Sequence, residues 1–155
     1  MKINLISIES SRPDWAQKAF VSYEKRFNKS IKVNWIGIKP PSRERNYNLL
    51  DIVEKERKLL LSKIKKADFV VVLDKEGQSL NTEELKLKFD EWMSTSKDIS
   101  IVVGGPDGLS PLLIRESDFC LSLSKLTLPH SMVPIFAIEQ LYRVWSITQN
   151  HPYHK

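Results

Sequence analysis

The sequence predicts an α/β fold built around a mostly parallel β-sheet. Segments with strand character and segments with helix character alternate five times along its 155 residues. The run DFVVVLD at residues 68–74 is continuously apolar and rich in β-branched residues, which is typical of a strand covered on both faces. A glycine-rich segment, GGPDG, directly follows the fourth predicted strand. Ligands of such sheets bind beyond the carboxyl ends of the strands, so the loops at that edge are the candidate sites.

The first half of the chain predicts two strand–helix units. Residues 2–8 and 31–38 are the strands, and Pro13 begins the helix between them because proline is favoured in a first helical turn. Residues 48–66 are predicted to form the second helix, after the basic, proline-bearing loop KPPSRERNY. The predicted inward faces are Trp15, Ala19, Tyr23 and Phe27 in the first helix, and Leu49, Val53, Leu60 and Ile64 in the second.

The second half predicts three further strands, at residues 68–74, 99–103 and 119–123. Asn81 followed by Glu84 forms a capping-box pattern and begins a helix that runs to about Met93. The inward face of that helix is expected to carry Leu85, Phe89 and Trp92. A short helix is expected to be capped by Ser110 and to begin at Pro111. The last helix is predicted over residues 131–148, with one side formed by Ile135, Glu139, Tyr142 and Trp145.

Composition indicates one compact domain over residues 1–155, because 41% of the residues are hydrophobic and 9% aromatic. No apolar run approaches the roughly 20 residues that span a bilayer, and the N-terminus lacks the pattern of a signal peptide, so a soluble, cytoplasmic protein is expected.

Cys120 is the single cysteine, which excludes an intramolecular disulfide and favours a buried, unreactive thiol.

Positive charge is concentrated in the first part of the chain. Residues 1–67 contain sixteen Lys and Arg against seven Asp and Glu, whereas residues 68–155 contain eight against twelve. Such a surface supports binding to nucleic-acid phosphates without specifying a sequence. For the two clusters Lys55, Arg57, Lys58 and Lys63, Lys65, Lys66 taken alone, ordinary solvated helix faces are the favoured explanation.

Two predicted strand ends could surround a ligand. In VVGGPDGLS the glycines let the backbone turn sharply and approach a ligand with free N–H groups, although a plain strand-to-helix turn has the same pattern. The spacing matches neither a dinucleotide-binding fingerprint nor a phosphate-binding P-loop. The second strand end is the segment LSLSKLTLPHSM, which places several leucines in a loop. Because exposing leucine side chains to water is unfavourable, we expect them either to fold under the loop or to line an apolar pocket.

The segments IVVGGPDGLS, LSLSKLTLPH, LYRVWSITQNHPYHK and PDWAQKAFVSYEKRF resemble the RlmH family over essentially the whole chain. That resemblance implies a SPOUT-type α/β knot, with a mostly parallel sheet of five to six strands, helices on both faces and a C-terminal trefoil knot. General rules of chain topology would not predict a knot. It also implies an S-adenosylmethionine-dependent enzyme that methylates N3 of a pseudouridine in 23S ribosomal RNA. The assembled ribosome is the expected substrate, and free RNA is the alternative.

The same resemblance implies the residues of the cofactor site. They are Leu73 after the third strand, Gly104 in the glycine turn, and the stretch Leu123, Ser124, Lys125, Leu126, Thr127 and Leu128. All follow predicted strand ends, where the fold argument independently expects a site. No metal is expected, because S-adenosylmethionine carries its own leaving group and the enzyme need only deprotonate and align the acceptor.

The C-terminal tail is the candidate acceptor site. His154 is expected to assist proton removal, Tyr153 to stack on the base or donate to it, and Arg143 to contact phosphate or the developing anion. On composition alone a frayed, solvated end is the alternative. Glu139 is a second possible base, although it is expected to pair on the last helix, and His130 is expected to hold the adjoining loop through a backbone hydrogen bond.

The resemblance further favours a homodimer whose tails complete the neighbouring sites. Two alternatives stay open from the residues: a SPOUT enzyme that acts on transfer RNA, and a non-catalytic RNA-binding module that uses only the basic first half. The second alternative needs neither the glycine turn nor the leucine-bearing loop.

Overall fold

Five parallel strands form the central sheet in the computed structural model, which describes residues 1–154. Every neighbouring pair is parallel, so the predicted α/β class and parallel sheet are confirmed. The strands are β1 (Lys2–Ile8), β2 (Lys32–Ile38), β3 (Phe69–Ser79), β4 (Ile99–Val103) and β5 (Phe119–Ser122). They are hydrogen-bonded in the order β2-β1-β4-β3-β5.

Helices cover both faces of the sheet, as expected. The helices are α1 (Asp14–Glu24), α2 (Leu49–Leu61), α3 (Thr82–Ser94), α4 (Pro111–Glu116) and α5 (Val133–Thr148), with 3-10 turns at His130–Met132 and Pro152–His154. One core cluster contains residues of α1, α3 and α5, and the other contains residues of α2 and α4. Within residues 1–154, none of the helices combines the length and apolar character needed to cross a membrane.

Strand β3 is longer than its apolar run and pairs with β5 twice. Leu121 is the register partner of Leu73 and, after a break in the pairing, of Gln78. At Gly77 a Cβ atom would lie 2.6 Å from the carbonyl carbon of Leu121, so only glycine lets the two backbones approach this closely. The end of β3 therefore stays paired with β5 beyond the apolar run, after a shift in register. The trefoil knot implied by the resemblance stays a prediction, since strand pairing alone does not define the path of threading.

Helix α1 is rotated at its start relative to the prediction, whereas Phe27 is buried and Tyr23 packs against the core as predicted. Its buried residues are Ala16 and Phe20, followed by Phe27 beyond the helix, whereas Trp15 is 50% exposed. The spacing 16, 20, 27 follows the 3.6-residue helical repeat more closely than a strict period of four. The predicted stripe was therefore wrong by about one residue at its start.

Helix α2 is also rotated relative to the prediction. It buries Ile52, Glu56 and Leu60, while Leu49 is about half exposed. It ends at Leu61, so Ile64 lies in the following turn, outside the helix. A glutamate is seldom placed in a core, and the sequence therefore favoured the face that avoids it.

Helix α3 agrees with its prediction in both cap and core. The Asn81 side chain accepts from the Glu84 N–H at 2.9 Å, and the Glu84 carboxylate accepts from the Asn81 N–H at 2.8 Å. The predicted stripe of Leu85, Phe89 and Trp92 is buried. Through this buried stripe α3 packs against α5, and both helices contribute residues to the same core.

Candidate active site

Two adjoining clefts lie at the carboxyl ends of β3, β4 and β5. The first, of about 230 Å³, is lined by Leu73, the segment Ser122–Leu128 and Val133 at the start of α5. The second, of about 540 Å³, is lined by the glycine turn Gly104–Leu109 together with Leu73, Thr127 and Leu128. The two predicted strand ends therefore meet in space. All eight residues expected around the cofactor border this one region.

The glycine turn is a tight reversal that depends on two of its glycines. The Gly108 N–H donates to the Gly105 carbonyl at 3.0 Å, with Pro106 in the position that proline favours in such turns. Gly108 has a φ of +82°, a conformation that glycine adopts without strain. A Cβ atom at Gly104 would lie 2.9 Å from the carbonyl carbon of Gly108, so the turn closes only over a glycine there.

The leucine-bearing loop is held by its serines. The Ser124 carbonyl accepts from the Ser122 hydroxyl at 3.2 Å, and the Ser124 hydroxyl accepts from the Leu126 N–H at 2.9 Å. Leu126 is 78% exposed although it borders the first cleft, and Lys125 is exposed beside it. Exposed leucine at the mouth of a concave site is an apolar surface suited to a flat aromatic ligand.

His130 fixes this loop to the centre of the sheet. Its Nε2 donates to the carbonyl of Ile8, the last residue of β1, which confirms the expected backbone hydrogen bond. This assignment makes Nε2 the protonated nitrogen when the ring is neutral. His130 also borders the second cleft, so it connects the end of β1 to the ligand region.

The tail residues form a separate cluster on α5. Arg143 Nη2 lies 2.6 Å from Glu139 Oε1, and the Tyr153 hydroxyl donates to the same oxygen at 3.1 Å. The Tyr23 hydroxyl lies 3.3 Å from that of Tyr153. Burial, then the hydrogen bonds to Tyr23 and Glu139, raise the pKa of Tyr153 well above its usual range. The predicted pairing of Glu139 is thus confirmed.

The end of the chain is packed onto α5 up to His154. The ring of Tyr153 makes an edge contact with that of Tyr142, with 4.8 Å between centroids. His154 is exposed, and its Nδ1 lies 3.0 Å from the carbonyl of His151. A frayed end, the alternative from composition, is therefore not what this tail forms through residue 154.

The tail and the clefts do not meet within one chain. Arg143, Tyr153 and His154 line neither cleft. Val133 borders the clefts, and Arg143 lies ten residues further along α5, a distance of about 15 Å along the helix axis. The structure brings the cofactor set together and the tail set together, but in two places.

Several residues of the clefts were not predicted from the sequence. Asp74 and Lys75 border both clefts, and Asp107 borders the second, where it pairs with Arg43 of the basic loop. Asp74 and Lys75 directly follow the apolar run of β3, which is a signal that could have identified them. In the described part of the chain, no group of three His, Cys, Asp or Glu residues is arranged to hold a metal ion.

Comparison with known proteins identifies the family. A family model described as "Predicted SPOUT methyltransferase" matches residues 1–154. The chain belongs to the SPOUT methyltransferase family. A curated relative named ribosomal RNA large subunit methyltransferase H, from Hydrogenovibrio crunogenus strain DSM 25203 / XCL-2, is 37% identical over 155 residues, which cover 100% of this chain and 99% of the relative. The resemblance to the RlmH family is therefore confirmed.

A solved structure of a methylase family protein shares the fold of this chain. A methylase family protein from Neisseria gonorrhoeae superposes with a TM-score of 0.51 at 11% identity, covering 90% of this chain and 81% of that one. The SpoU methyltransferase AviRb from Streptomyces viridochromogenes, solved with its cofactor AdoMet, gives a TM-score of 0.45 at 13% identity, covering 90% and 56%. As a member of a methyltransferase family, the chain is an enzyme rather than a non-catalytic module.

Proposed function

We propose that this SPOUT methyltransferase transfers a methyl group from S-adenosylmethionine to N3 of a pseudouridine in 23S ribosomal RNA in the cytoplasm. The observation that carries the proposal is the meeting of the glycine turn with the leucine-bearing loop at the carboxyl edge of the sheet. The name of the 37% identical relative supports a large-subunit ribosomal RNA as the substrate. Nothing in the described residues favours transfer RNA over it.

The clefts fit the proposed cofactor in size and chemistry. A volume of about 540 Å³ lies within the range of small-molecule sites. Leu73, Leu126 and Leu128 would offer apolar surface to the adenine ring of a bound cofactor, and Gly104 and Thr127, which also line the clefts, would offer backbone polar groups. When bound, S-adenosylmethionine supplies an electrophilic methyl group on a positively charged sulfur.

The protein must remove one proton and orient the acceptor. N3 of pseudouridine lies between two carbonyl groups and is weakly acidic, so a modest base or anion-stabilising donors suffice. We assign proton removal to His154, stacking or donation to Tyr153, and contact with phosphate or the developing anion to Arg143. Glu139 holds the last two in place.

The separation of tail and cleft supports a homodimer. About 15 Å of α5 lies between Val133 and Arg143, so the tail of one chain is poorly placed to act at its own cleft. A second copy packed against α5 could bring its tail to that cleft. The exposed lysines Lys55, Lys58 and Lys63 of the basic half would then contact RNA phosphates.

A methyl-transfer assay on defined RNA substrates tests the proposal. Purified protein and S-adenosylmethionine labelled in the methyl group are incubated with free 23S ribosomal RNA, large subunits, whole ribosomes or transfer RNA. The proposal expects label at a pseudouridine of the large-subunit RNA, located by mass spectrometry of nuclease fragments. Label in transfer RNA alone, or in no RNA while cofactor binding is retained, would overturn the assigned substrate.

A further inference from the structure

Glu56 is an unusual member of the core. It lies on the buried face of α2 between Ile52 and Leu60, and only 2% of it is exposed. Within residues 1–154, its two carboxyl oxygens are the only buried side-chain oxygens or nitrogens that lack a hydrogen-bond partner. A buried polar group without a partner destabilises a fold, so its presence calls for another explanation.

The Glu56 carboxyl lies directly against the glycine turn. A Cβ atom at Gly105 would lie 2.8 Å from one carboxyl oxygen and 3.0 Å from the other. No side chain can therefore occupy position 105 while Glu56 keeps its place. On the turn itself, Asp107 forms an ion pair with Arg43, which also lies close to Tyr47. The turn is thus held by one contact from the core and one from the basic loop.

The surroundings of Glu56 raise its pKa. Burial is the largest cause, and the nearby Asp107 carboxylate raises the pKa further. The positive charge of Arg43 lowers the pKa but does not offset burial. With respect to Glu56, the free energy of unfolding is therefore highest below the ordinary pKa of glutamate and falls as the pH rises through the raised pKa. Ionisation would place an unpaired negative charge behind the turn.

We propose that Glu56 is a positioning residue for the cofactor: its buried carboxyl, which lies against Gly105, sets the conformation of the turn Gly104–Leu109. The inference rests on the proposed function in one respect, that the cleft bordered by this turn holds the cofactor. Glu56 borders neither cleft and acts only through the backbone of the turn. A function of this kind explains why α2 carries a buried glutamate where an apolar residue would pack better.

Two substitutions separate positioning from a purely structural role. Glu56→Gln keeps a neutral polar group of similar shape, whereas Glu56→Leu removes the polar group and fills the site. Glu54→Gln is the control, because Glu54 lies on the same helix, is partly exposed and pairs with Arg57. S-adenosylmethionine binding is measured by calorimetry from mildly acidic to mildly alkaline pH, together with thermal unfolding and amide hydrogen exchange of residues 104–109.

The proposal expects opposite effects on stability and binding. Glu56→Leu should unfold at a higher temperature than the parent, yet bind the cofactor about tenfold more weakly and exchange the turn amides faster. Parent affinity should fall as the pH rises, and Glu56→Gln should bind at the parental level without that pH dependence. The Glu54→Gln control should match the parent.

Equal cofactor affinity and equal turn exchange in the parent and Glu56→Leu would overturn the positioning role. A parent that binds no cofactor would instead refute the proposed function. In that case the turn exchange, which needs no cofactor, still decides the role of Glu56, because unchanged exchange in Glu56→Leu refutes it and faster exchange supports it.

Discussion

At the scale of single residues, Glu139 organises the tail. One of its oxygens accepts from both Arg143 and Tyr153, so a single carboxylate fixes two of the three proposed acceptor-site side chains. Hydrogen bonds to a charged group contribute more than those between neutral groups, about 1.5–3 kcal/mol each. The sequence predicted that Glu139 would pair on α5, but it could not predict Tyr23, which joins the cluster from α1.

Glu139→Gln should reduce turnover without reducing cofactor binding. Loss of the carboxylate frees Arg143 and loosens Tyr153, and we expect kcat to fall by about tenfold, or about 1.4 kcal/mol, with the affinity for S-adenosylmethionine changed less than about twofold. The pKa of Tyr153 should fall, because its negative neighbour is gone. Steady-state kinetics and NMR titration of labelled tyrosines measure these effects.

Glu91→Gln is the matched control for this substitution. Glu91 pairs with Lys88 on the surface of α3, and its loss should leave both kcat and the tyrosine titration unchanged. Parental turnover in Glu139→Gln would show that the tail does not depend on this carboxylate.

At the scale of elements, helix α3 offers a direct test of a local signal. Both hydrogen bonds of its capping box are present, so Asn81→Ala should lower the free energy of unfolding by about 1 kcal/mol. Asn81→Asp, which keeps an acceptor oxygen, should stay within a few tenths of a kcal/mol of the parent. Urea unfolding monitored by tryptophan fluorescence provides the comparison. Equal losses in the two variants would mean that the cap does not stabilise α3.

Elements were predictable where the sequence pattern and the burial agree. The Val-rich run of β3 and the stripe of α3 were found because apolar residues alone mark their buried faces. The face of α2 was missed because Glu56 lies on it, and a charged residue is rarely assigned to a core. The extension of β3 past Asp74 was missed for a similar reason, since KEGQS lacks apolar alternation and pairs only through the backbone.

The candidate site was predictable to different degrees. Gly104 and the loop Leu123–Leu128 follow strand ends, and a parallel sheet brings such ends to one edge. The roles of the tail came only from resemblance, because a fifteen-residue segment with two histidines has no periodic pattern. The contact between Gly105 and Glu56 joins residues that are 49 positions apart in the sequence, so no local sequence pattern predicts it.

At the scale of the whole molecule, the clefts border the start of α5, whereas the tail packs against the middle of that helix and lines neither cleft. If each tail completes the site of a second copy, two inactive variants should restore activity when mixed. Gly104→Val destroys the turn through the contact with Gly108, and a Tyr153→Ala, His154→Ala double variant disables the tail. Random exchange of subunits makes half of the dimers mixed, each with one intact site, so about a quarter of parental activity should return.

Unfolding and refolding the two variants together, followed by the methyl-transfer assay, measures this recovery. Each variant refolded alone provides the baseline. Recovery no greater than that baseline would place the tail at its own cleft, or would exclude the dimer.

The position of β1 in the sheet determines when its second edge can be paired. Its second neighbour is β4, and the Lys2 amide donates to Asp98, 96 residues later. During synthesis the peptide groups on the β4-facing edge of β1 therefore stay unpaired until β4 has been made, which requires nearly two thirds of the 155 residues. Such distant pairing slows folding and leaves the early chain prone to association with other chains. The newly made protein is thus expected to be most vulnerable to aggregation before residue 103 emerges.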